Sequence, residues 1–391
     1  MDWYLFIVKL TIVSCYSNIL NTFVLYPLFL FILSRVINRK PKRSYEFTPD
    51  ISILISAYNE ENLIEDCIRS VYNSNYTNEK IRVLVGSDGS SDRTEEVVEG
   101  LKDEYPALEL FKFPRQGKNR TINALVELAE TELIIFMDAD IRISPDSINV
   151  LISHFNDPKI GSVISSMKYI DRSDNNTTGR VGESLYQKYE SFIRLWESKI
   201  GSTVNSLGAF YAVRKELIEP IPNDFVCDDL IPIFQILQKR KRVIYTKESL
   251  VFEEREKSLD DELYRRIRVA AGGIASLWQA KNLLLPHYGM VSNSLTWHKL
   301  MRWLTPIYLL GILIGSYMLP AGDEFKWWML LIQGILYGSA LLGWIFEKIG
   351  IKFFPLRIAL YFVAMNYGFL LAWFHAIRGK KNAIWSRDVG E

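Results

Sequence analysis

The 391-residue sequence lacks the features that point to nucleic acid binding, to a disulfide framework or to a zinc site. Its 46 lysines and arginines nearly balance its 45 aspartates and glutamates, so net charge gives no argument for nucleic acid as a partner. Only three cysteines occur, Cys15, Cys67 and Cys227, without CxxC spacing, and the four histidines are scattered. We therefore expect reduced, structural thiols and no zinc.

Internal repeats, low-complexity linkers and a P-loop are also missing. Gly117-Lys118 is not a P-loop, because no glycine stands five residues before Gly117. Apolar residues, in contrast, make up 49% of the chain and are concentrated at its two ends. The stretch between them is long enough to bury a core of its own.

The amino-terminal run from Trp3 to Val36 is almost entirely apolar. It is too long for a cleaved signal sequence and has no small-residue cleavage site at its end. The basic cluster Arg39-Lys40-Pro41-Lys42-Arg43 follows it, as is typical of the cytoplasmic side. A buried soluble helix is the alternative, but the length favours the membrane. Residues 1–44 therefore predict one transmembrane helix with its amino end outside.

The carboxyl-terminal region, residues 296–391, holds three further apolar segments. They are Trp303–Leu319, Trp327–Phe346 and Phe354–Ile377. If all three cross, the basic residues Arg378, Lys380 and Lys381 end outside, against the positive-inside tendency. Either this tail is an exception or one segment lies in the interface. The sequence leaves both possibilities open.

Residues 45–295 predict a cytoplasmic α/β domain, because strand-like runs alternate with helical ones. Such alternation indicates a parallel sheet with helices on both faces and ligands beyond the carboxyl ends of its strands. The strand-like runs are Ile51–Ser56, Ile81–Gly86, Leu108–Phe113 and Leu133–Met137. The helical runs are around Glu60–Asn73, Asp92–Glu104, Lys118–Glu130 and Pro145–Phe155.

Polar motifs follow each predicted strand. The run Leu133–Met137 ends in two carboxylates, Asp138 and Asp140, which can share a divalent metal at the end of a buried strand. The alternative is a solvated turn. The other motifs are Ala57-Tyr58-Asn59-Glu60-Glu61, Ser87-Asp88-Gly89-Ser90-Ser91-Asp92 and Arg115-Gln116-Gly117-Lys118-Asn119. Asp88 could accept hydrogen bonds from a base, and Lys118 suits a polyanion. The motif Ser87–Asp92 also fits an ordinary turn followed by a helix that Ser91 or Asp92 caps.

In this order, the motifs resemble those of the inverting family 2 glycosyltransferases. The likeness is closest to the membrane-embedded branch that includes hyaluronan, cellulose and poly-N-acetylglucosamine synthases. It implies an α/β fold, a GT-A nucleotide-diphospho-sugar transferase (Rossmann-like) domain flanked by transmembrane α-helices. The matching motifs begin at Ser56, Ser87, Gly117, Asp138 and, further on, Cys227-Asp228-Asp229.

The resemblance also implies roles for individual residues. Ala57, Tyr58, Glu60 and Asp88 would hold the nucleoside, and Lys118 would adjoin the nucleotide. Asp138 and Asp140 would bind Mg²⁺ or Mn²⁺ that bridges the diphosphate, with Asp140 favoured as the direct ligand. Asp229, the second acid of its pair, would be the catalytic base, although Asp228-Asp229 could instead cap the helix that follows.

Two further motifs of the family have counterparts in this sequence, and each counterpart allows an alternative interpretation. Gly208-Ala209-Phe210-Tyr211 resembles the family's acceptor-side loop, to which Asp228 would also contribute, with Phe210 or Tyr211 stacking on a sugar; a buried strand is the alternative. In place of the synthases' Gln-x-x-Arg-Trp, this chain has Arg265, Arg268 and Val269. Arg265 and Arg268 would reach the nucleotide sugar, or with Arg266 form a basic face against lipid headgroups.

We therefore expect a membrane-bound inverting hexosyltransferase. It would move a sugar from a nucleotide-diphosphate donor, with UDP-sugar favoured, to a lipid-linked or glycan acceptor in cell-envelope polysaccharide or glycolipid synthesis. Its other partner is the lipid bilayer, expected to be the bacterial inner membrane, and nucleic acid is not one. A processive polysaccharide synthase is the alternative, which Val269 disfavours, and a non-catalytic membrane scaffold is another.

Overall fold

A computed structural model describes residues 3–170, 178–223, 225, 229–254 and 259–378. Within them, eight strands form one sheet in the order β3-β2-β1-β4-β7-β6-β8-β5. The strands are β1 Ile51–Ala57, β2 Ile81–Asp88, β3 Leu108–Phe113, β4 Leu133–Asp138, β5 Ile141–Ile143, β6 Ile160–Ile170, β7 Phe210–Arg214 and β8 Arg242–Glu254.

Helices cover both faces of the sheet and form a bundle beside it. Short π-helical turns join α1 to α2 and α10 to α11, so each pair runs as one long helix. The helices are α1 Trp3–Leu20, α2 Tyr26–Val36, α3 Ile64–Tyr72, α4 Thr94–Leu101, α5 Lys118–Leu128, α6 Ser147–Ser153, α7 Thr178–Ile200, α8 Leu230–Gln238, α9 Leu259–Gln279, α10 Met290–Ser294, α11 Met301–Met318, α12 Glu324–Lys348 and α13 Phe354–Ile377.

The first four strands confirm the predicted parallel sheet. β1 pairs in parallel with both β2 and β4, and β2 pairs in parallel with β3. Each predicted strand is present with its end moved by two residues at most, and each of the four predicted helices is present in a shorter form. The carboxyl ends of β1, β2 and β4 therefore meet at one edge, as the motifs require.

The other half of the sheet is mixed, which the alternation did not predict. β7 is antiparallel to β4 and β6, whereas β6 and β8 are parallel. The register of β4 with β7 pairs Met137 with Phe210. Because the two strands run in opposite directions, the residues just before β7 lie beside those just after β4. This reversal adds a fifth chain segment to the edge formed by the parallel strand ends.

Alternate strand residues bury on opposite faces of the sheet, as a period of two demands. Ile53 and Ile55 enter one apolar cluster, whereas Leu54 and Phe136 enter the other. The second cluster continues into the helical bundle, where it includes Trp303 and Phe369. Domain and bundle therefore share one hydrophobic core.

Four helical runs are long and apolar enough to cross a membrane: Trp3–Val36, Met290–Met318, Glu324–Lys348 and Phe354–Ile377. Small residues let the first two approach closely. A Cβ on Gly311 would lie 3.2 Å from Cys15 Sγ, and one on Gly315 would lie 2.8 Å from Ile12 Cγ1. The outward face of α12 exposes Trp327, Trp328 and Ile335, as expected of a surface that faces lipid.

Candidate active site

The loops after β1 and β2 are tied together by side chains that cap them. Asn59, with a positive φ of 54°, accepts a hydrogen bond from the Ser91 N–H at 2.8 Å. The Glu60 N–H donates to Thr94 Oγ1 at 2.8 Å, and Asp92 accepts from the Thr94 N–H at 3.0 Å. Asp92 thus closes the turn before α4, whose N-cap position belongs to Arg93. Ala57 and Glu60, both predicted to hold the nucleoside, are buried at this junction.

Asp88, another predicted nucleoside ligand, is 1% exposed and holds the loop after β3. Its carboxylate accepts from the N–H groups of Gln116 at 2.8 Å and Gly117 at 3.0 Å, and it pairs with Arg115. The Arg115 guanidinium lies 3.5 Å from the centre of the Tyr58 ring, a cation–π contact. Contact between Asp88 and a base therefore requires Arg115 to move aside.

Lys118 begins α5 and faces the paired carboxylates. Its Nζ lies 2.8 Å from Asp138 Oδ1. The carboxylates of Asp138, Asp140 and Glu60 also lie close enough to the buried thiol of Cys67 to influence its pKa together. Burial raises the pKa of Cys67 well above its usual range, and the charges of Asp140, Asp138 and Glu60 raise it further. The edge is thus a concentration of negative charge with one lysine against it.

This arrangement fits a hard divalent cation. Carboxylate oxygens are the ligands that Mg²⁺ and Mn²⁺ prefer. The ion pair with Lys118 shows that the Asp138 carboxylate is accessible to a positively charged group. Among the described residues, however, no group of three or more His, Cys, Asp or Glu side chains could hold a metal. Asp138 and Asp140 would therefore need further oxygens from a bound ligand to complete the coordination.

The predicted acceptor-side residues Gly208 and Ala209 reach the same place from the other half of the sheet. The Asp138 N–H donates to Ala209 O at 2.9 Å. Gly208 has a φ of +79°, and a Cβ there would lie 3.3 Å from Asp229 Oδ2. Gly208 and Ala209 therefore connect the predicted metal pair with the predicted base.

Asp229 stands immediately before α8, yet its carboxylate makes no capping hydrogen bond to that helix. The capping alternative is therefore not what this geometry shows. The amino end of α8 still favours an ionised carboxylate at this position. Asp228 lies outside the described residues.

Phe210 and Tyr211 correct one expectation. They are 0% and 2% exposed as part of β7, and Tyr211 stacks on Phe136 with ring centres 4.9 Å apart. Neither ring can stack on a sugar from this position, so the buried-strand alternative holds for this pair. The cause is the pairing of β7 with β4, which places both rings between strand and helix layers.

Arg265 and Arg268 lie on α9, which adjoins α8. Both are partly buried. Further along α9, a Cβ on Gly273 would lie 3.5 Å from Leu230 Cδ1, in the first turn after Asp229. Arg266 takes another direction, with its guanidinium 3.9 Å from the Tyr186 ring of α7. Contact of Arg265 and Arg268 with a diphosphate stays a prediction.

Sequence reasoning missed Arg115 and Asn119. Asn119 is 6% exposed, and its amide donates to Pro222 O at 3.0 Å and Phe225 O at 2.7 Å. It thereby fixes the chain that leads to Asp229. Both residues belong to the polar motif that surrounds Lys118. Their closeness to Lys118 in the sequence was the feature that could have identified them as site residues. Their roles depend on which distant loop faces them, which no local pattern reveals.

Residues 52–217 match the family described as Glycosyl transferase family 2. Among curated proteins, a poly-beta-1,6-N-acetyl-D-glucosamine synthase of Staphylococcus aureus is 23% identical over 241 residues, 61% of this chain. The chain covers 58% of the length of that relative. The synthase of the same name from Staphylococcus epidermidis is 23% identical over 278 residues, 66% of each chain.

A solved structure is similar over nearly the whole chain. It is the mannosyltransferase PcManGT from Pyrobaculum calidifontis in complex with GDP-Man and Mn²⁺. The match has a TM-score of 0.71 at 20% identity and covers 95% of this chain and 99% of that one. This likeness confirms the predicted fold. Residues 52–217 therefore match a glycosyl transferase family 2 domain, and the chain has the GT-A fold with flanking apolar helices.

Proposed function

We propose that the protein is a membrane-bound inverting glycosyltransferase that adds a sugar from a nucleotide-diphosphate donor to an acceptor carried by the membrane. The observation that carries this proposal is the meeting of Lys118, Asp138, Gly208 and Asp229 at one edge of the sheet. Donor-side and acceptor-side elements touch there through the Asp138–Ala209 hydrogen bond and the Gly208–Asp229 contact.

We infer that the divalent ion arrives with the donor. Asp138 and Asp140 supply two carboxylates, and the donor's phosphate oxygens would complete the coordination of Mg²⁺ or Mn²⁺. When bound, the ion would neutralise charge on the departing diphosphate. The similar mannosyltransferase was solved with GDP-Man and Mn²⁺ together, which supports this pairing. It also adds GDP-mannose to the UDP-sugars as a donor to test.

Removal of one carboxylate tests the metal site. Asp140→Asn should weaken Mn²⁺-dependent binding of UDP or GDP by about tenfold or more, measured by calorimetry with and without Mn²⁺. Asp66→Asn is the matched control, because Asp66 also acts on Cys67 but is 56% exposed and pairs with Arg142. Tight Mn²⁺ binding without nucleotide, or equal effects of the two variants, would contradict the inference.

Asp229 is the proposed base. Inversion requires a group that takes the proton of the acceptor hydroxyl as this attacks the anomeric carbon. Asp229 suits this role because its carboxylate makes no capping bond to α8 and lies against Gly208, in the segment predicted to face the acceptor. The oxygen of the acceptor bonds to the anomeric carbon, and the bond to the nucleotide diphosphate breaks.

Asp229→Asn should lower the rate of sugar transfer by roughly 10²- to 10⁴-fold and leave nucleotide binding unchanged. Asp146→Asn is the matched control, since Asp146 stands in the same position before α6 and likewise makes no capping bond. Transfer is measured as nucleotide diphosphate release that depends on acceptor. If the two variants retain equal activity, Asp229 is not the base.

Product length separates single transfer from polymerisation. The curated relatives are named for making a polymer, but the chain has Val269 where the synthases have tryptophan. We expect the purified enzyme to add one sugar per acceptor after a panel of UDP- and GDP-sugars has identified the donor. Mass spectrometry of the product measures this, and a ladder of long chains would establish the processive alternative instead.

The arrangement of the helices indicates which helix ends lie on the same side of the membrane as the catalytic domain. Trp303 packs on Gly273 of α9, and Leu319 lies about 24 Å further along α11. At that far end, Lys9 pairs with Asp323 at 2.7 Å, and the Tyr4 hydroxyl donates to Met318 O at 3.4 Å. The amino end of α1 and the α11–α12 turn therefore lie away from the catalytic domain.

The end of α13, in contrast, lies back beside the domain. Trp373 Nε1 donates to Trp303 O at 2.9 Å, and a Cβ on Gly368 would lie 3.0 Å from Leu263 Cδ1 of α9. These contacts support an arrangement in which α12 and α13 together cross the bilayer once. α12 begins at that far end, where its N-cap residue Asp323 pairs with Lys9, so we assign the crossing to α12 and the interface to α13.

This arrangement puts Arg378 on the same side as the catalytic domain and removes the conflict with the positive-inside tendency. We predict that alkaline phosphatase fused after Glu391 is inactive in bacteria and that green fluorescent protein there is fluorescent. A phosphatase fusion at Gly322, in the exposed α11–α12 turn, should be active and serves as the control. An active phosphatase after Glu391 would restore the crossing role of α13.

A further inference from the structure

A network of polar side chains is buried where α7 meets the long helices. Its members are 3% exposed or less, and they are Tyr26, Glu190, Glu197, His298 and Arg302. His298 Nδ1 lies 2.8 Å from Glu197 Oε1, and His298 Nε2 lies 2.9 Å from Glu190 Oε2. Tyr26 donates to Glu197 Oε1 at 2.7 Å, and Arg302 donates to Glu190. The family motifs include none of these residues.

Each ring nitrogen of His298 faces the carboxylate of a different glutamate. Burial alone would raise the pKa of Glu190, but the charges of Arg302 and His298 hold it well below its usual range. The pKa of Glu197 is also lowered, chiefly by His298, against the effect of burial. Both acids are therefore ionised, and each presents an oxygen to one ring nitrogen of His298.

Such a network is better suited to fixing positions than to adding stability. The desolvation of buried charges offsets much of their attraction, so a buried ion pair is weak evidence for stability. Removal of one member, however, leaves its buried neighbours with one partner fewer. The groups are held in this geometry because displacement of any one of them weakens the compensation of a buried charge.

The two glutamates also hold the chain that leads to the active site. Thr203 Oγ1 donates to Glu197 Oε2 at 2.8 Å, and Asn205 Nδ2 donates to Glu190 Oε2 at 2.7 Å. Lys299, next to His298, donates to Asn205 Oδ1. The same chain then reaches Gly208 against Asp229 and Ala209 against Asp138. Glu190 and Glu197 therefore contact both the membrane-helix residues and the acceptor-side segment 203–209.

We propose that His298 is a positioning residue, which with Glu190 and Glu197 fixes segment 203–209 to the helix Met290–Met318. Asp229 and Asp138 are thereby kept at a set position relative to the bilayer from which a membrane-borne acceptor arrives. The chemical consequence rests on the proposed function, whereas the mechanical link rests on the contacts alone. The two parts therefore need separate measurements.

The mechanical part is tested by hydrogen exchange on the full chain in lipid nanodiscs. His298→Gln replaces the two ring nitrogens, which face Glu197 and Glu190, with one amide nitrogen and an oxygen that cannot donate to a carboxylate. The amides of 203–209 should exchange about tenfold faster or more, while those of β1 keep their protection. Glu248→Gln, which removes an exposed partner of Arg43, is the control and should change neither. His298→Lys supplies N–H donors for the two carboxylates and should restore part of the protection.

The chemical part is tested with the same variants. His298→Gln should lower the rate of transfer by roughly 10- to 100-fold and leave nucleotide affinity and the metal requirement unchanged. If the His298 variant does not fold, Asn205→Ala tests the same segment through its outer link and should produce the same pattern more weakly. Unchanged exchange of 203–209 overturns the proposal, and so does faster exchange with unchanged transfer.

These outcomes are distinguishable from failure of the proposed function. A wild-type protein that transfers no sugar from any donor refutes the function, and the exchange experiment then decides the link between His298 and 203–209 by itself. A variant whose melting temperature falls but whose transfer rate is normal well below that temperature shows a structural role only and also overturns the proposal.

Discussion

The position of Asp138 is the constraint on which the rest of the site depends. β4 lies inside the sheet between β1 and β7, so the backbone of Asp138 has a neighbour on each side. Its N–H donates to Ala209 O, and its carboxylate faces Lys118. Because β7 runs against β4, Gly208 and Ala209 lie at the same edge as the parallel strand ends. With the opposite direction, the segment that contacts Asp229 would begin at the other edge of the sheet.

Two ion pairs neutralise part of the charge at this edge. Lys118 pairs with Asp138, and Arg115 pairs with Asp88 and covers Tyr58. In the proposed function, a nucleotide diphosphate with its cation supplies new partners to both sets. Asp138 would turn to the cation, which frees Lys118 for a phosphate oxygen, and Arg115 would leave the Tyr58 face to a base. Asp138 and Lys118 would thus each keep a charged partner, so donor binding need not leave either of them desolvated and alone.

The sequence predicts the strands of the parallel half of the sheet. It does not predict the features that depend on pairing between segments far apart in the chain. β1, β2 and β4 were found because they are largely apolar runs that end in polar motifs. β3, at the edge of the sheet, was found although its run includes Glu109 and Lys112. Phe210 to Arg214 had no period to separate strand from loop, and its pairing with β4 was needed to decide. Asp138, Asp140 and Lys118 follow from motif order. Glu197 and His298 lie 101 residues apart, and no local spacing relates them.

The shared core limits how the domain can move against the bilayer. A domain on a tether has its own core and a polar interface with its neighbour. Here Ile134 and Phe136 of the sheet belong to the same apolar cluster as Trp303 and Phe369 of the bundle. Rotation of the domain would expose that cluster and also separate His298 from its glutamates. The edge that carries Asp229 therefore keeps one orientation to the membrane. Such an orientation suits an acceptor held in the lipid surface, whereas a translocated polymer requires many helices around a polar path.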